Sequence, residues 1–161
     1  MMPEHKALDA IELLLQDHRE LEALLSEFEF LRKNHRQTDR VIANTCAELR
    51  MHDTLEASIF YAAVRDAADD DQTDRLVSDA EIEHDDILEL VEQVESAPTD
   101  DPQRDAHFAR LVTRVRAHVL SDETERFPMV KRVRRLDLET VTATMKKRKS
   151  ALMTAMESGQ M

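Results

Sequence analysis

Apolar residues recur at steps of three and four along most of the chain, the spacing of a helix that buries one face. The first such stretch covers residues 8 to 34, and a histidine is set into its stripe: Ile11, Leu14, His18, Leu21, Leu25 and Phe28. After a polar turn near residues 37 to 39, a second stretch mixes apolar and polar positions: Val41, Thr45, Leu49, His52, Glu56, Ile59 and Ala63. These stretches predict two helices joined by a short turn.

A third and a fourth stretch have the same character. Their stripes are Val77, Ala80, His84, Ile87, Val91 and Val94, and then Phe108, Leu111, Val115, His118 and Asp122. The acidic segment DAADDDQTD before the third stretch is predicted to be a loop, with Thr73 or Asp74 capping the next helix. Pro102 suits the first turn of the fourth helix, and Pro128 is expected to bend or end that helix.

A weaker periodicity from Leu136 to about Met156 predicts a fifth helix. The chain has 161 residues, of which 42% are hydrophobic, with one glycine and four prolines. So few turn-forming residues disfavour sheets and favour long helices with short polar loops. The sequence therefore predicts an all-α fold: an up-down-up-down four-helix bundle over residues 1–135, with a C-terminal helical extension over residues 136–161.

The net charge of -12 at neutral pH disfavours nucleic acid as a partner, because both molecules are acidic. The start MMPEHKALDA lacks the apolar segment of a signal peptide, and no run approaches the roughly 20 apolar residues of a membrane span. Cys46 has no partner for an internal disulfide. We therefore expect a cytoplasmic protein. The basic tail segments KRVRR and KKRK are expected to form solvated faces or to pair with acidic surface such as residues 69 to 71.

The two halves of the chain repeat one another. A shift of 66 residues superposes the polar stripe positions in pairs: His18 on His84, His52 on His118, and Glu56 on Asp122. It also aligns further pairs: Ile11 with Val77, Leu21 with Ile87, Leu24 with Leu90, Leu25 with Val91, and Tyr61 with Phe127. The repeat predicts one helical hairpin used twice, with approximate two-fold symmetry.

Polar residues at core positions carry the candidate chemistry. A buried histidine or carboxylate without a partner costs about 1 to 3 kcal/mol, and a lone core histidine is more often hydrogen-bonded than a metal ligand. Here the same offset recurs on four helices: His18, His52, Glu56, His84, His118 and Asp122. Divalent cations would satisfy such a cluster, so we predict a metal site inside the bundle. His5, His35 and His107 lie outside the pattern and are expected to be ordinary surface residues.

The segments DHRELEALL, HDTLE, EHDDILELV and HVLSDETERFP resemble the cation-binding motifs of the hemerythrin-like (HHE) domain family, over roughly residues 8 to 130. A single domain with a helical extension is similar to the actinobacterial, mycobacterial-type members. The resemblance implies a cofactor of two non-haem iron ions, oxo- or hydroxo-bridged, inside a four-helix bundle. It implies six iron ligands, of which the last two form bridges: His18, His52, His84, His118, Glu56 and Asp122.

The chain departs from the oxygen carriers of this family at two positions. Those proteins place the second bridging carboxylate five residues after the histidine, which is Glu123 here, whereas the internal repeat favours Asp122. They also have a histidine one turn before the ligand of the third helix, where this chain has Ala80. Glu81 and Tyr61 are candidates for that ligand position, with water as the alternative. If these side chains do not bind the metal, Glu81 is a solvated charge and Tyr61 is an aromatic residue of the core.

The missing imidazole weakens the case for reversible oxygen carriage, and a more open di-iron centre is expected to cycle with peroxide. Resemblance to the mycobacterial-type proteins implies catalase-like decomposition of hydrogen peroxide in oxidative or nitrosative stress. The alternative is a non-enzymatic sensor or carrier of oxygen, nitric oxide or iron. Ferritin-type iron storage fits less well, because ferritin-like centres use a Glu-x-x-His pair on each of two helices and only Glu81 with His84 has that spacing. The same ligands also suit manganese and zinc. A structural bundle that binds no metal is the simplest alternative. Both a monomer and a homodimer are compatible with the sequence.

Overall fold

The computed structural model describes residues 8–159, which contain helices and no β-strand. Their bounds, in chain order, are Ala10–Lys33 for α1; Asp39–Asp53, Thr54–Tyr61 and Ala62–Ala67 for α2; Asp71–Ser96 for α3; Pro102–Ser121, Asp122–Arg126 and Phe127–Val130 for α4; and Leu138–Glu157 for α5. The predicted all-α fold is confirmed.

Aspartate side chains accept backbone N–H groups at the start of four helices: Asp9 at α1, Asp70 at α3, Asp101 at α4 and Asp137 at α5. At α1 the side chain of Glu12 also accepts from the backbone N–H of Asp9, which completes a capping box. Pro102 occupies the first turn of α4, as predicted. These caps fix where the helices begin and therefore where their polar positions face.

The acidic segment before α3 is mostly helical, which corrects the predicted loop. The cap is Asp70 rather than Thr73 or Asp74, because the extended backbone of Asp70 lets its carboxylate accept the N–H of Thr73 at 2.7 Å. The hydroxyl of Thr73 donates to the same carboxylate at 2.8 Å. The acidic residues after the cap fall in the first turn of α3, where the helix dipole favours negative charge.

Helices α2 and α4 each contain a π-helical segment at the same place in the repeat. Thr54–Tyr61 in α2 carries Glu56, and Asp122–Arg126 in α4 begins with Asp122. The sequence prediction missed both segments, because apolar spacing of three and four does not distinguish a π-turn from an α-turn. π-helical turns are rare and occur often at functional sites. Pro128 follows the second segment, and α4 ends two residues later.

The four long helices form two hairpins, α1 with α2 and α3 with α4, and α2 contacts α3 while α1 contacts α4. Two apolar clusters fill the interior, one around Phe60 and Phe127 and the other around Phe28 and Phe108. On every helix the stripe histidine lies between residues of the two clusters, as His18 lies between Leu14 and Leu21 in the chain. The bundle therefore has a polar layer sandwiched between two apolar ends.

Helix α5 packs against α1 and the π-helical segment of α2. Val141, Met145 and Leu152 join the Phe60 cluster, so the C-terminal helix shares the core of the bundle. In the basic tail, Arg135 pairs with Asp69 at 2.6 Å, which agrees with the expected pairing between the tail and the acidic segment. None of the described helices is long and apolar enough to cross a membrane.

Candidate metal centre

Five buried side chains of ligand type meet between the two apolar clusters. Each offers one nitrogen or oxygen atom, and these atoms all lie within 4.8 Å of one another: His18, His52, Glu56, His118 and Asp122. The most exposed of the five is only 3% exposed. They come from α1, α2 and α4, so only the packing of the bundle brings them together.

Glu56 lies at the middle of the group. Its Oε1 atom is 2.9 Å from Nε2 of His84 and 2.9 Å from Nε2 of His118. Its Oε2 atom is 2.9 Å from Nε2 of His52 and 3.5 Å from Nε2 of His18. Each oxygen thus faces the two histidines of one hairpin, an arrangement that suits a carboxylate shared by two cations. His84 adjoins the group of five through this contact.

Asp122 is the second interior carboxylate. Its Oδ2 atom is 3.0 Å from Nε2 of His118 and 3.5 Å from Nε2 of His18, so it spans the two hairpins. Glu123, the alternative considered from the sequence, contacts the other side of His18, with its Oε2 atom 3.0 Å from Nδ1 and its side chain 40% exposed. The structure brings Asp122, and not Glu123, into the interior group.

The converging atoms are close to one another but poorly satisfied. Five atoms of this group, despite the short distances between them, form no hydrogen bond of good geometry within the described part of the chain: Nε2 of His18, His52 and His118, Oε2 of Glu56 and Oδ2 of Asp122. An unpaired buried polar atom costs about 1 to 3 kcal/mol. Cations that accept lone pairs from all of these atoms remove that cost. Imidazole and carboxylate donors fit iron, and they suit manganese and zinc as well.

Each histidine of the layer turns its Nδ1 atom toward a carboxylate: Asp17 for His52 at 3.1 Å, Glu83 for His118 at 2.8 Å, Asp53 for His84 at 2.7 Å, and Glu123 for His18 at 3.0 Å. Carboxylates in this position orient metal-binding imidazoles and hold the proton on the nitrogen that faces away from the metal. The sequence prediction missed Asp17, Asp53 and Glu83. The 66-residue repeat also aligns Asp17 with Glu83, and that pairing is the signal that could have found these two; Asp53 aligns with Val119 and left no such signal.

A buried arginine joins the ligands of the second hairpin. Arg126 is 2% exposed; it donates from Nε to Oδ1 of Asp122 at 2.6 Å and from Nη1 to Oε2 of Glu83 at 3.1 Å. Burial opposes the charge on this guanidinium, but the Glu83 and Asp122 carboxylates outweigh burial and raise its pKa. Arg126 therefore stays charged and fixes both carboxylates, a role that the sequence prediction missed.

Tyr61 and Glu81, the sequence candidates for the missing imidazole, lie in different surroundings. The hydroxyl of Tyr61 is buried and donates to Oδ1 of Asp122 at 2.6 Å. Glu81 instead forms an ion pair with Arg65 near the surface and lies outside the group. Ala80, which stands at the position of the missing imidazole, is fully buried. Burial and the nearby carboxylates raise the pKa of Tyr61, so its hydroxyl keeps the proton.

The interior carboxylates draw protons onto the histidines when no cation is bound. Burial lowers the pKa of His18, but contacts with Asp122 and Glu56 outweigh burial and raise it to about 10. Burial raises the pKa of Glu56, whereas the charges of His52 and His118 hold it well below its usual range. The group is therefore electrostatically balanced, and a cation must displace protons to bind.

A groove between α1 and α4 reaches the centre at His18. Its volume is about 440 Å³, and Glu123 also lines it. Its apolar side is formed by Leu21, Leu25, Val115, Val119 and Leu120, and the charged residues Arg19, Glu22 and Arg116 also line it. The groove is large enough for small molecules to reach the edge of the polar layer.

The three histidines outside the repeat do not join the centre. His5 lies outside the described residues. His35 is exposed at the end of α1 and has a φ of 55°, as expected for a surface residue. His107 is half-buried, and its Nδ1 atom is buried without a hydrogen-bond partner among the described residues. The expectation of an ordinary surface residue is therefore wrong for His107.

The family comparison agrees with this geometry. A model described as the hemerythrin HHE cation binding domain matches residues 9–130. That range includes all six ligand-type residues of the polar layer and ends at the last residue of α4, before α5. Comparisons with curated proteins and with solved structures gave no match. With most of its length covered by the match, the chain belongs to the hemerythrin HHE cation-binding domain family.

Proposed function

We propose that the chain holds two iron ions in this centre, joined by an oxo or hydroxo bridge, and that it decomposes hydrogen peroxide as a catalase-like enzyme. The observation that carries the proposal is the convergence of buried, unpaired ligand atoms within 4.8 Å of one another. When bound, the iron pair supplies the two-electron exchange by which two molecules of hydrogen peroxide give two of water and one of oxygen. Such an activity suits a role in oxidative or nitrosative stress.

The ligands divide by hairpin. His18 and His52 face Oε2 of Glu56 and would hold one cation, while His84 and His118 face Oε1 and would hold the other. Glu56 would be shared by the two cations. Asp122 would be the second shared carboxylate, because its Oδ2 atom contacts a histidine of each hairpin.

Tyr61 contacts an interior carboxylate beside the centre. Its hydroxyl donates to Asp122 at 2.6 Å and keeps its proton because burial and the carboxylates raise its pKa. We assign Tyr61 as a hydrogen-bond donor that holds Asp122 in place, rather than as a phenolate ligand. Ala80 favours turnover over reversible oxygen carriage, because a methyl group stands where the oxygen carriers of the family have an imidazole, and that position would be left to the substrate.

The apolar groove at His18 favours a second candidate function. Its lining suits oxygen or nitric oxide, which are small and uncharged, so a non-enzymatic sensor or carrier of such gases is the alternative. Storage of iron in the manner of ferritin has less support, because Glu81 pairs with Arg65 instead of joining His84 in the centre. Reversible spectral change on adding and removing gas, without turnover of peroxide, identifies the second candidate.

The test is oxygen evolution from hydrogen peroxide, followed with an oxygen electrode on protein whose iron content per chain has been measured. We expect sustained evolution over many turnovers at about two irons per chain. His118→Ala is expected to lose both iron and activity, because it removes a ligand that faces both interior carboxylates. His107→Ala is the matched control, since His107 lies on the same helix outside the centre.

Two results contradict the proposal. An iron-loaded protein that evolves no oxygen is not a catalase-like enzyme, and titration with oxygen and nitric oxide then tests the sensor or carrier function. A His118→Ala variant that keeps its iron and full activity contradicts the ligand assignment itself.

A further inference from the structure

Lys149 is the member of the KKRK segment that points into the protein. Its side chain is 19% exposed, and its Nζ atom donates to Oδ1 of Asp17 at 2.8 Å. Its neighbours Lys146, Lys147 and Arg148 are exposed. The ion pair joins α5, which lies beyond the matched family domain, to the interior of α1.

Asp17 carries this contact to the metal layer. Its other oxygen, Oδ2, accepts from Nδ1 of His52 at 3.1 Å, and Nε2 of His52 faces Glu56 at 2.9 Å. Lys149, Asp17 and His52 therefore form a continuous chain of polar contacts from the C-terminal helix to a ligand atom. A carboxylate behind a metal-binding imidazole fixes the ring and raises its basicity. A cation on that carboxylate fixes its orientation and moderates its charge.

The second hairpin has the same arrangement built from its own residues. Arg126 contacts Glu83, and Glu83 contacts Nδ1 of His118. The 66-residue shift lays Asp17 on Glu83 and His52 on His118, but it lays Phe60 on Arg126. Phe60 is fully buried and apolar. The first hairpin therefore lacks a cation of its own at this place, and Lys149 of α5 contacts Asp17 instead.

We propose that Lys149 is a positioning residue of the metal centre, through which α5 supplies the first hairpin with the counterpart of Arg126. This inference rests on the metal site of the proposed function. Docking of α5 does not require the ion pair, because Val141, Met145 and Leu152 bury apolar surface and Thr142 accepts the N–H of Ala10 at 2.8 Å.

The environment of Lys149 is consistent with that role. Burial lowers its pKa, but the hydrogen bond and charge of Asp17 outweigh burial, so the net pKa is raised. Glu20 and Glu48 also act on it by charge, while Asp17 is the acceptor of its hydrogen bond. The ammonium group therefore stays charged and has one near partner.

The experiment compares three full-length variants: Lys149→Met, Lys149→Arg and Lys147→Met. The methionine at 149 removes the charge and keeps most of the side-chain length. The arginine restores a cation, and the change at Lys147 removes the same charge from an exposed position of the same helix. Ferrous iron is titrated anaerobically against a competing chelator, and the reduction potential of each loaded protein is measured by spectroelectrochemistry.

We expect Lys149→Met to weaken one of the two iron affinities by about tenfold, which is the scale of the effect of changing a residue that supports a metal ligand. We also expect it to lower the reduction potential, because a nearby positive charge is lost. Lys149→Arg should recover most of both quantities, and Lys147→Met should match the unmodified protein. Unchanged affinity and potential in Lys149→Met overturn the inference and leave Lys149 as a docking contact.

The outcomes separate the two proposals. An unmodified protein that takes up no iron overturns the proposed function and this inference together. An unmodified protein that takes up two irons, with a Lys149→Met variant that does the same equally well, overturns the inference alone. If Lys149→Met fails to fold, the Lys149→Arg protein decides. Iron affinity and reduction potential near those of the unmodified protein mean that the positive charge is what matters. Values that depart from those of the unmodified protein overturn the inference.

Discussion

The two hairpins place their ligands alike and support them differently. In each, a carboxylate one residue before the first histidine holds the second histidine: Asp17 holds His52, and Glu83 holds His118. The cation on Glu83 comes from the same hairpin and is 2% exposed, whereas the cation on Asp17 comes from α5 and is 19% exposed. The ligand-type positions of the interior are repeated, but the charges behind them are not.

The comparison teaches that a repeated ligand set does not make a symmetric centre. Where the first hairpin has Phe60 and Tyr61, the second hairpin has Arg126 and Phe127 at the corresponding places. The second hairpin therefore brings a buried charge to Asp122, while the first brings a phenol to the same carboxylate. Asp122 is therefore held from both sides, by one group from each hairpin.

Removal of the metal should have the largest effect, because both hairpins meet at the centre. Chelation removes the cations between the interior carboxylates and histidines, and we expect the midpoint of thermal unfolding to fall by on the order of 10 °C. Differential scanning calorimetry of loaded and chelated protein measures the change, and re-addition of ferrous iron should reverse it. Equal midpoints for the two forms would contradict a metal shared by the hairpins.

Replacing Arg126 by methionine should destabilise the second hairpin by about 3 kcal/mol or more, because it leaves Asp122 buried without its cation. Urea unfolding of the metal-free protein measures the loss. The matched control is Arg116→Met on the same helix, where the arginine pairs with Glu22 and Glu29 at the exposed surface. That change should cost less than about 1 kcal/mol. Similar losses for both variants would remove the distinction between the buried network and the surface pair.

Replacing Tyr61 by phenylalanine makes the two hairpins alike at this position, since Phe127 is its counterpart. The change removes a 2.6 Å hydrogen bond to Asp122, and we expect a loss of about 1.5 kcal/mol in urea unfolding of the metal-free protein. Iron content should be kept while peroxide turnover falls, as read with the oxygen electrode. Full turnover in this variant would show that the hydrogen bond from Tyr61 to Asp122 plays no part in the reaction.

Replacing Glu123 by glutamine should have the smallest effect, about 0.5 kcal/mol or less, because this carboxylate is 40% exposed where it contacts His18. Iron uptake should persist, measured as metal per chain. The same change at Glu83, which Arg126 contacts, is expected to cost more. Loss of iron in Glu123→Gln would show that Glu123 is an interior ligand after all.

Much of this fold could be predicted because its signals are local. Spacing of three and four predicted the long helices, and the scarcity of glycine and proline predicted the all-α class. Helix starts were less certain, since consecutive aspartates before α3 offer several caps and only the extended backbone at Asp70 selects one. The π-helical segments left no signal in the spacing, because they add one residue to a turn that remains apolar on the same side.

The sequence by itself determined the register of the centre, since residues three or four apart share a helix face and a polar residue on an apolar stripe must be buried. His18, Glu56 and Asp122 could be placed in one layer for that reason. The tertiary structure alone decided what stands behind them. Asp17 lies one residue from His18 and therefore about 100° around the helix. Which side chain contacts it there depends on which helix packs against that face. That partner is Lys149, more than 130 residues away along the chain, and only the packing of α5 brings the two side chains together.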